Sequence, residues 1–76
     1  MVERGMVSFD LDVRVNGRRK RFEYGITVFS LLQRLEITAQ YALVEINGIA
    51  VSRDEYTKVE LQDGDEIVIA RPVPGG

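Results

Sequence analysis

No cysteine and no histidine occur in the 76-residue chain, and its only two prolines both fall within the last five residues. Without thiols there is no disulfide framework of the kind that staples small secreted domains. Without imidazole or thiolate, neither a Ser-His nor a Cys-His nucleophile pair can be built, and the usual donors for zinc and iron are missing. Self-contained catalysis is not expected, and the sequence assigns no catalytic residue and no metal ligand. The glycines fall into neither G-x-G-x-x-G nor G-x-x-x-x-G-K-[ST], so no phosphate-cradling loop is predicted. No apolar run approaches the roughly 20 residues that a membrane span needs, and no charged stretch followed by an apolar stretch opens the chain. A cytoplasmic protein with no membrane partner is the expectation.

What is present reads as one small globular domain. Hydrophobic residues make up 45% and charged residues 29%, a balance that can build a core. A chain of this size buries only about 60% of the surface that its unfolded form exposes, so a deep cleft is not expected. The net charge is −2, but residues 1–35 hold seven Arg or Lys against four acids, and residues 36–66 hold eight acids against two bases. The densest basic cluster, Arg18, Arg19, Lys20 and Arg21, has no interleaved aromatic pair and sits in an acidic protein. It reads as the solvated end of a hairpin, with no nucleic-acid partner expected.

Val7, Phe9, Leu11, Val13 and Val15 alternate with Ser8, Asp10, Asp12 and Arg14, the period of a strand with one buried face. Asp10 and Asp12 therefore point outward, as solvated carboxylates rather than an acid/base pair. Asn16-Gly17 marks a two-residue hairpin, because both central positions of a type I′ turn need positive φ. The partner strand is predicted over about 18–24, with Phe22 opposite Leu11, Arg21 opposite Asp12 and Tyr24 opposite Phe9. Gly25 breaks that strand, and Thr27 caps a helix predicted over about 28–35, with Ile26 and Leu31 placed to close a hydrophobic staple. Val28, Leu31, Leu32 and Leu35 form its core stripe, and Phe29 lies beside it, partly exposed.

Residues 37–41 have no clean period and read as a connecting loop. A third strand is predicted over about 42–46, Asn47-Gly48 gives a second hairpin, and residues 49–51 form its short partner. Residues 52–58 read as polar and irregular, with room for one helical turn. Asp63-Gly64-Asp65 lacks the ligand spacing of a calcium loop and reads as a turn launching a last strand over 66–73. The order ββ, helix, β, short β, β predicts an α+β, ubiquitin-like β-grasp: a mixed sheet of about five strands with one main helix packed across it. The domain is expected over 7–73, with a disordered extension over 1–6 and a flexible tail over 74–76.

The tail carries the chemistry. Pro72 and Pro74 hold φ near −65° and push Arg71 and Val73 toward extended conformations, so a stiff arm is predicted, reaching roughly 15 Å from the sheet. Gly75 and Gly76 lack Cβ, so the end can thread a channel too narrow for side chains. Its reactive group is the Gly76 carboxylate.

The run "VEINGIAVSRDEYTKVELQDGDEIVIARPVPGG", residues 44–76, resembles the thiamin-biosynthesis sulfur carriers (ThiS) within the ThiS/MoaD superfamily. Asn47-Gly48, Val51-Ser52-Arg53, Leu61, Asp63-Gly64-Asp65 and Gly75-Gly76 carry the likeness, and "VNGRRKRF" and "TVFSLLQRL" are similar to that family's first hairpin and helix. Residues 1–6 match nothing. Ser52 stands where the thiamin carriers usually have proline, and "RPVPGG" shades toward the "PPV-x-GG" ending of the molybdopterin-synthase small subunit (MoaD).

The resemblance implies a sulfur carrier acting as a carried substrate, not an enzyme. An E1-like (ThiF/MoeB-like) adenylating partner would activate Gly76 with ATP, and a sulfur donor would displace AMP. The thiocarboxylate would then serve an acceptor such as thiazole synthase. ATP is used by that partner, and no cofactor is bound by this chain. Pro74 and Gly75 would thread the tail into the partner, and Val68, Ala70 and Arg71 would dock beside it. An alternative cover for Val68 is the protein's own N-terminal segment. Two further readings stay open: a ubiquitin-like protein modifier of the small archaeal modifier type, and a MoaD-like small subunit of molybdopterin synthase. A plain β-grasp binding module with an idle tail is the third.

Overall fold

The alternation that begins the chain becomes a strand because it puts Leu11, Val13 and Val15 on one face, and all three are buried. In the computed structural model, which describes residues 11–72, this strand is β1, Leu11–Val15. The predictions for Val7, Phe9 and Asp10, the extension over 1–6 and the tail from Val73 lie outside the described residues. Asn16 and Gly17 take φ of 51° and 84°, the two left-handed positions of a type I′ turn. They reverse the chain into β2, Arg18–Phe22, with Leu11 opposite Phe22 and Asp12 opposite Arg21. β2 ends two residues before the predicted limit. Gly25 at φ 91° turns the chain toward the helix and leaves Tyr24 exposed.

The helix α1 runs Val28–Arg34. A helix of seven residues is too short to be stable alone, and tertiary bonds supply what its length cannot. Val28 N–H donates to the Val59 carbonyl, Phe29 N–H to the Tyr56 carbonyl and Ser30 N–H to Thr27 Oγ1. The first three orphan donors of the helix are thereby satisfied. At the other end Ile37 N–H reaches the Leu32 carbonyl and Glu36 N–H the Gln33 carbonyl, a Schellman closure. Glu36 holds the left-handed position, at φ 59°. Val28, Leu31 and Leu32 are fully buried, and Leu35 packs against them partly exposed.

The predicted loop over 37–41 contains a 3₁₀ turn, Ala39–Tyr41. β3 then spans Leu43–Ile46, one residue later than predicted, because Ala42 is spent capping that turn through its N–H to the Ala39 carbonyl. Asn47 and Gly48, at φ 53° and 83°, form the second type I′ turn into β4, Ile49–Ala50.

The stretch read as polar and irregular holds a 3₁₀ turn, Arg53–Glu55, and a core residue that its composition concealed. Tyr56 is buried, and its hydroxyl donates to the Ala42 carbonyl at 2.9 Å. The last strand, β5, is Glu66–Ala70 and stops short of the predicted Val73. Its β3 partner runs out at Leu43, opposite Ala70.

The sheet order is β2-β1-β5-β3-β4, with β1 and β5 parallel and the other neighbours antiparallel. This is the predicted β-grasp: a five-stranded mixed sheet with one main helix. The core joins Leu11, Val13, Val15 and Phe22 of the first hairpin to Val28, Leu31 and Leu32 of the helix and Val44, Ile67 and Ile69 of the central strands. Burial of each Leu or Ile side chain contributes about 1.5–3 kcal/mol. Among the described residues no buried side-chain nitrogen or oxygen lacks a hydrogen-bond partner, and no helix is long and apolar enough to cross a membrane.

Candidate functional site

The predicted site depends on β5, because this strand launches the chain toward the terminal glycines. It lies in the middle of the sheet, between β1 and β3. Alternation along "EIVIA" buries Ile67 and Ile69 and leaves Glu66, Val68 and Ala70 outward.

Two asparagines read only as turn residues hold β5 in place. Asn47 Oδ1 accepts from the Glu66 N–H at 2.9 Å, and its Nδ2 donates to Asp65 Oδ1 at 3.0 Å. Asp65, which is buried, takes the Gln62 N–H on its other oxygen at 2.8 Å. Asn16 grips the far end of the strand. Its Oδ1 accepts from the Ile69 N–H at 2.8 Å and its Nδ2 donates to the Ile69 carbonyl at 3.1 Å. Each turn needs positive φ, which asparagine tolerates, and each turn also faces β5, where an amide side chain can imitate a backbone. The sequence carried the first signal; the second needs the strand order.

On the sheet face opposite the helix, Val68 and Ala70 are joined by their cross-strand neighbours. Leu43 lies opposite Ala70, and Glu45 lies opposite both Val68 and Ala50. Leu43 is 51% exposed and Val68 45%, and a shallow apolar trough runs among Leu43, Glu45, Ala50, Val51, Val68 and Ala70. Large apolar side chains exposed side by side on one face form a patch of the kind that meets other surfaces. The structure thus brings Val68 and Ala70 together and adds Leu43 and Glu45, which sequence reasoning missed. Their alternation with Val44 was visible, but their closeness to β5 follows only from the antiparallel β3–β5 pairing. Arg71 is exposed where the strand ends. Pro74, Gly75 and Gly76 lie outside the described residues.

The other half of the same face is charged. Asp12 pairs with Arg19 through two hydrogen bonds of 2.9 Å, and Arg21 stands 4.0 Å away. The register partner of Asp12 is Arg21, but its ion pair is diagonal. The Arg19 hydrogen bonds hold the Asp12 carboxyl below its ordinary pKa, and Asp12 raises that of Arg19 in turn. Arg34 on the helix similarly pairs with Glu23, holding that carboxyl low, and its guanidinium sits 6.0 Å from the centre of the Phe22 ring. These pairs are exposed. Among the described residues no group of three or more acidic side chains is arranged to hold a metal ion.

Comparison with known proteins agrees with this geometry. The fold matches the crystal structure of the thiamine biosynthesis protein ThiS from Geobacter metallireducens with a TM-score of 0.71 and 28% identity, covering 87% of this chain and all of the other. The solution structure of a thiamine biosynthesis protein from the same organism gives a TM-score of 0.70 at 28% identity, over 87% of this chain and 88% of the other. A thiazole synthase of Paramagnetospirillum magneticum is 32% identical over 62 residues, which is 82% of this chain. The chain spans about a fifth (19%) of the length of that relative. The ThiS family model matches residues 13–76, most of the chain and through to the last glycine, so the chain belongs to the ThiS family.

Proposed function

We propose that this protein is a sulfur carrier of thiamin thiazole biosynthesis, worked on by partner enzymes at Gly76. A carboxylate is a poor acyl donor until a better leaving group replaces its oxygen. In the first step a Gly76 carboxylate oxygen attacks the α-phosphorus of ATP in an E1-like, ThiF-type enzyme, and pyrophosphate leaves. In the second, a sulfide-level donor attacks the acyl carbon and expels AMP, leaving a thiocarboxylate. The acceptor takes the sulfur, and water restores the carboxylate.

The chain's own part is binding and presentation. Val68, Ala70 and Arg71, with Leu43 beside them, dock on the partner, and Pro74 and Gly75 pass into its active site. No cofactor resides on this chain, and it acts as substrate rather than enzyme. The observation that carries the reading is the family match, which runs from the first hairpin to the final glycine. The stretch of a thiazole synthase that resembles this chain supports such a synthase as the sulfur acceptor.

Intact-mass measurement tests it. Incubation with the ThiF-type enzyme of the same host and ATP is expected to give an AMP adduct, and added sulfide then a species with one oxygen replaced by sulfur. Failure of the wild-type chain to form the adenylate sinks the proposal. So does an unprocessed variant, extended by a bulky residue after Gly76, that still supports thiazole formation in cells. A ladder of larger covalent species in host extract points instead to isopeptide transfer.

A further inference from the structure

β2 is an edge strand: among the described residues it has β1 on one side and no strand on the other. Which of its backbone groups are open follows from β1. Arg14 N–H donates to the Asp65 carbonyl, Asn16 N–H to the Ile67 carbonyl, and the Asp12 carbonyl accepts from Gly64 N–H. Even-numbered residues of β1 therefore face β5, and odd-numbered residues face β2. The register partners of the odd residues, Arg18, Lys20 and Phe22, turn their N–H and carbonyl groups back toward β1. Arg19 and Arg21 turn theirs to the open edge, and among the described residues no other backbone hydrogen bond uses them.

The side chains along this edge are cations on both faces. Arg19 and Arg21 stand on the outer face with their partners Arg14 and Asp12, and Arg18 and Lys20 stand on the helix side, opposite Val15 and Val13. All four are exposed. Asp12 engages Arg19 and reaches Arg21 at 4.0 Å, whereas Arg18 and Lys20 form no ion pair among the described residues. Charge of one sign along an edge repels a second copy of the same edge, which keeps sheets from pairing at random. It suits a strand that carries carboxylates on both of its faces.

We infer that the open edge of β2 docks an extended acidic segment of a partner protein, which adds to the sheet as a further strand. The main chain of that segment pairs with Arg19 and Arg21, and its carboxylates lie against Arg18 and Lys20 on one face and Arg21 on the other. Main-chain bonds supply affinity in this mode, and the side chains select the partner. Bonds between guanidinium or ammonium groups and carboxylates are the strong kind. β1 and β5 separate this edge from the apolar trough at β3, so the inference does not rest on the carrier reading.

The test titrates isotope-labelled protein with capped peptides: Val-Glu-Asp-Glu-Asp-Glu-Val, its counterpart with Gln and Asn in place of the acids, and the acidic peptide N-methylated at two neighbouring central residues, which blocks both of its edges. The acidic peptide is expected to bind about tenfold or more tightly than either of the others at low salt, and the advantage over the neutral peptide should shrink as salt rises. At saturation the Arg19 and Arg21 amide protons should exchange about tenfold or more slowly than in the free protein, while those of Arg18 and Lys20, already bonded to β1, change little. The double variant Arg18→Glu, Lys20→Glu should lose about tenfold or more in affinity; if it does not fold, the peptide comparison and the exchange rates decide. Equal binding of the neutral peptide, equal binding of the methylated peptide, or unslowed Arg19 and Arg21 amides overturns the inference. So does protection of those two amides without peptide: in dilute protein it puts the chain's own segment on the edge, and where it grows with protein concentration it puts a second copy there.

Discussion

Asn16 shows how much one side chain does here. Its backbone makes the first turn and its amide closes the edge of β5 at Ile69. Asn16→Gly separates these roles, since glycine keeps the positive φ and loses the amide. The variant is expected to lose about 1–3 kcal/mol of stability, because two backbone groups lose their partner. Fast exchange of the Ile69 amide, with the rest of β5 protected, is the measurement that checks it. Tyr56→Phe should cost about 1 kcal/mol in urea unfolding through the bond to Ala42, with no cavity left behind. Glu36 is the opposite case. A non-glycine residue at φ 59° is strained, so Glu36→Gly is expected to stabilise the protein by about 1 kcal/mol in the same assay.

Among the elements, the helix is the one most dependent on its ends. Seven residues cannot sustain themselves, and the Thr27 cap is one of three devices satisfying the first turn. Thr27→Ala is expected to lower stability by about 1 kcal/mol, read from the denaturant midpoint at unchanged slope. The ion pairs between elements respond to acid. Asp12 and Glu23 have pKa values lowered in the folded state by Arg19 and Arg34. Their contribution is present above the unfolded carboxylate pKa and is lost as pH falls through the lower folded one, so the loss belongs below about pH 4. A double variant Arg19→Ala, Arg34→Ala should show a shallower fall in circular-dichroism-detected stability across that range. Both pairs are exposed, and high salt should shrink the difference.

For the whole molecule, the outward face of the sheet divides into a charged half around β1 and β2 and an apolar half around β3 and β5. Leu43, Val68 and Ala70 of the apolar half lie outside the core, so a substitution at one of them separates docking from folding. Val68→Asp is expected to change stability by less than about 0.5 kcal/mol. It should also weaken binding to the ThiF-type enzyme about tenfold or more, measured by titration calorimetry. Unchanged affinity would remove this face from the docking surface. The fold thus treats its two layers differently: the helix side builds the core, and the other side of the sheet leaves Leu43 and Val68 exposed.

Local chemistry in the sequence determined the two Asn-Gly hairpins, the Thr27 cap, the helical stripe and the alternation in β1 and β5, because turn φ values and the periods of strand and helix act over a few residues. Together with the terminal glycines, those signals were enough to read both the β-grasp and the carrier family. Tertiary structure decided the rest. Tyr56 became core because Ala42 offers it a carbonyl from another segment, which no window around "RDEYTK" contains. The short ends of β3 and β5 were set by where a cap or a partner strand runs out. Leu43 and Glu45 joined Val68 and Ala70 only through the β3–β5 register. β5 runs on past β1 because their pairing stops at Val15 opposite Ile67, and pairing between residues more than 50 positions apart is invisible until the chain is folded.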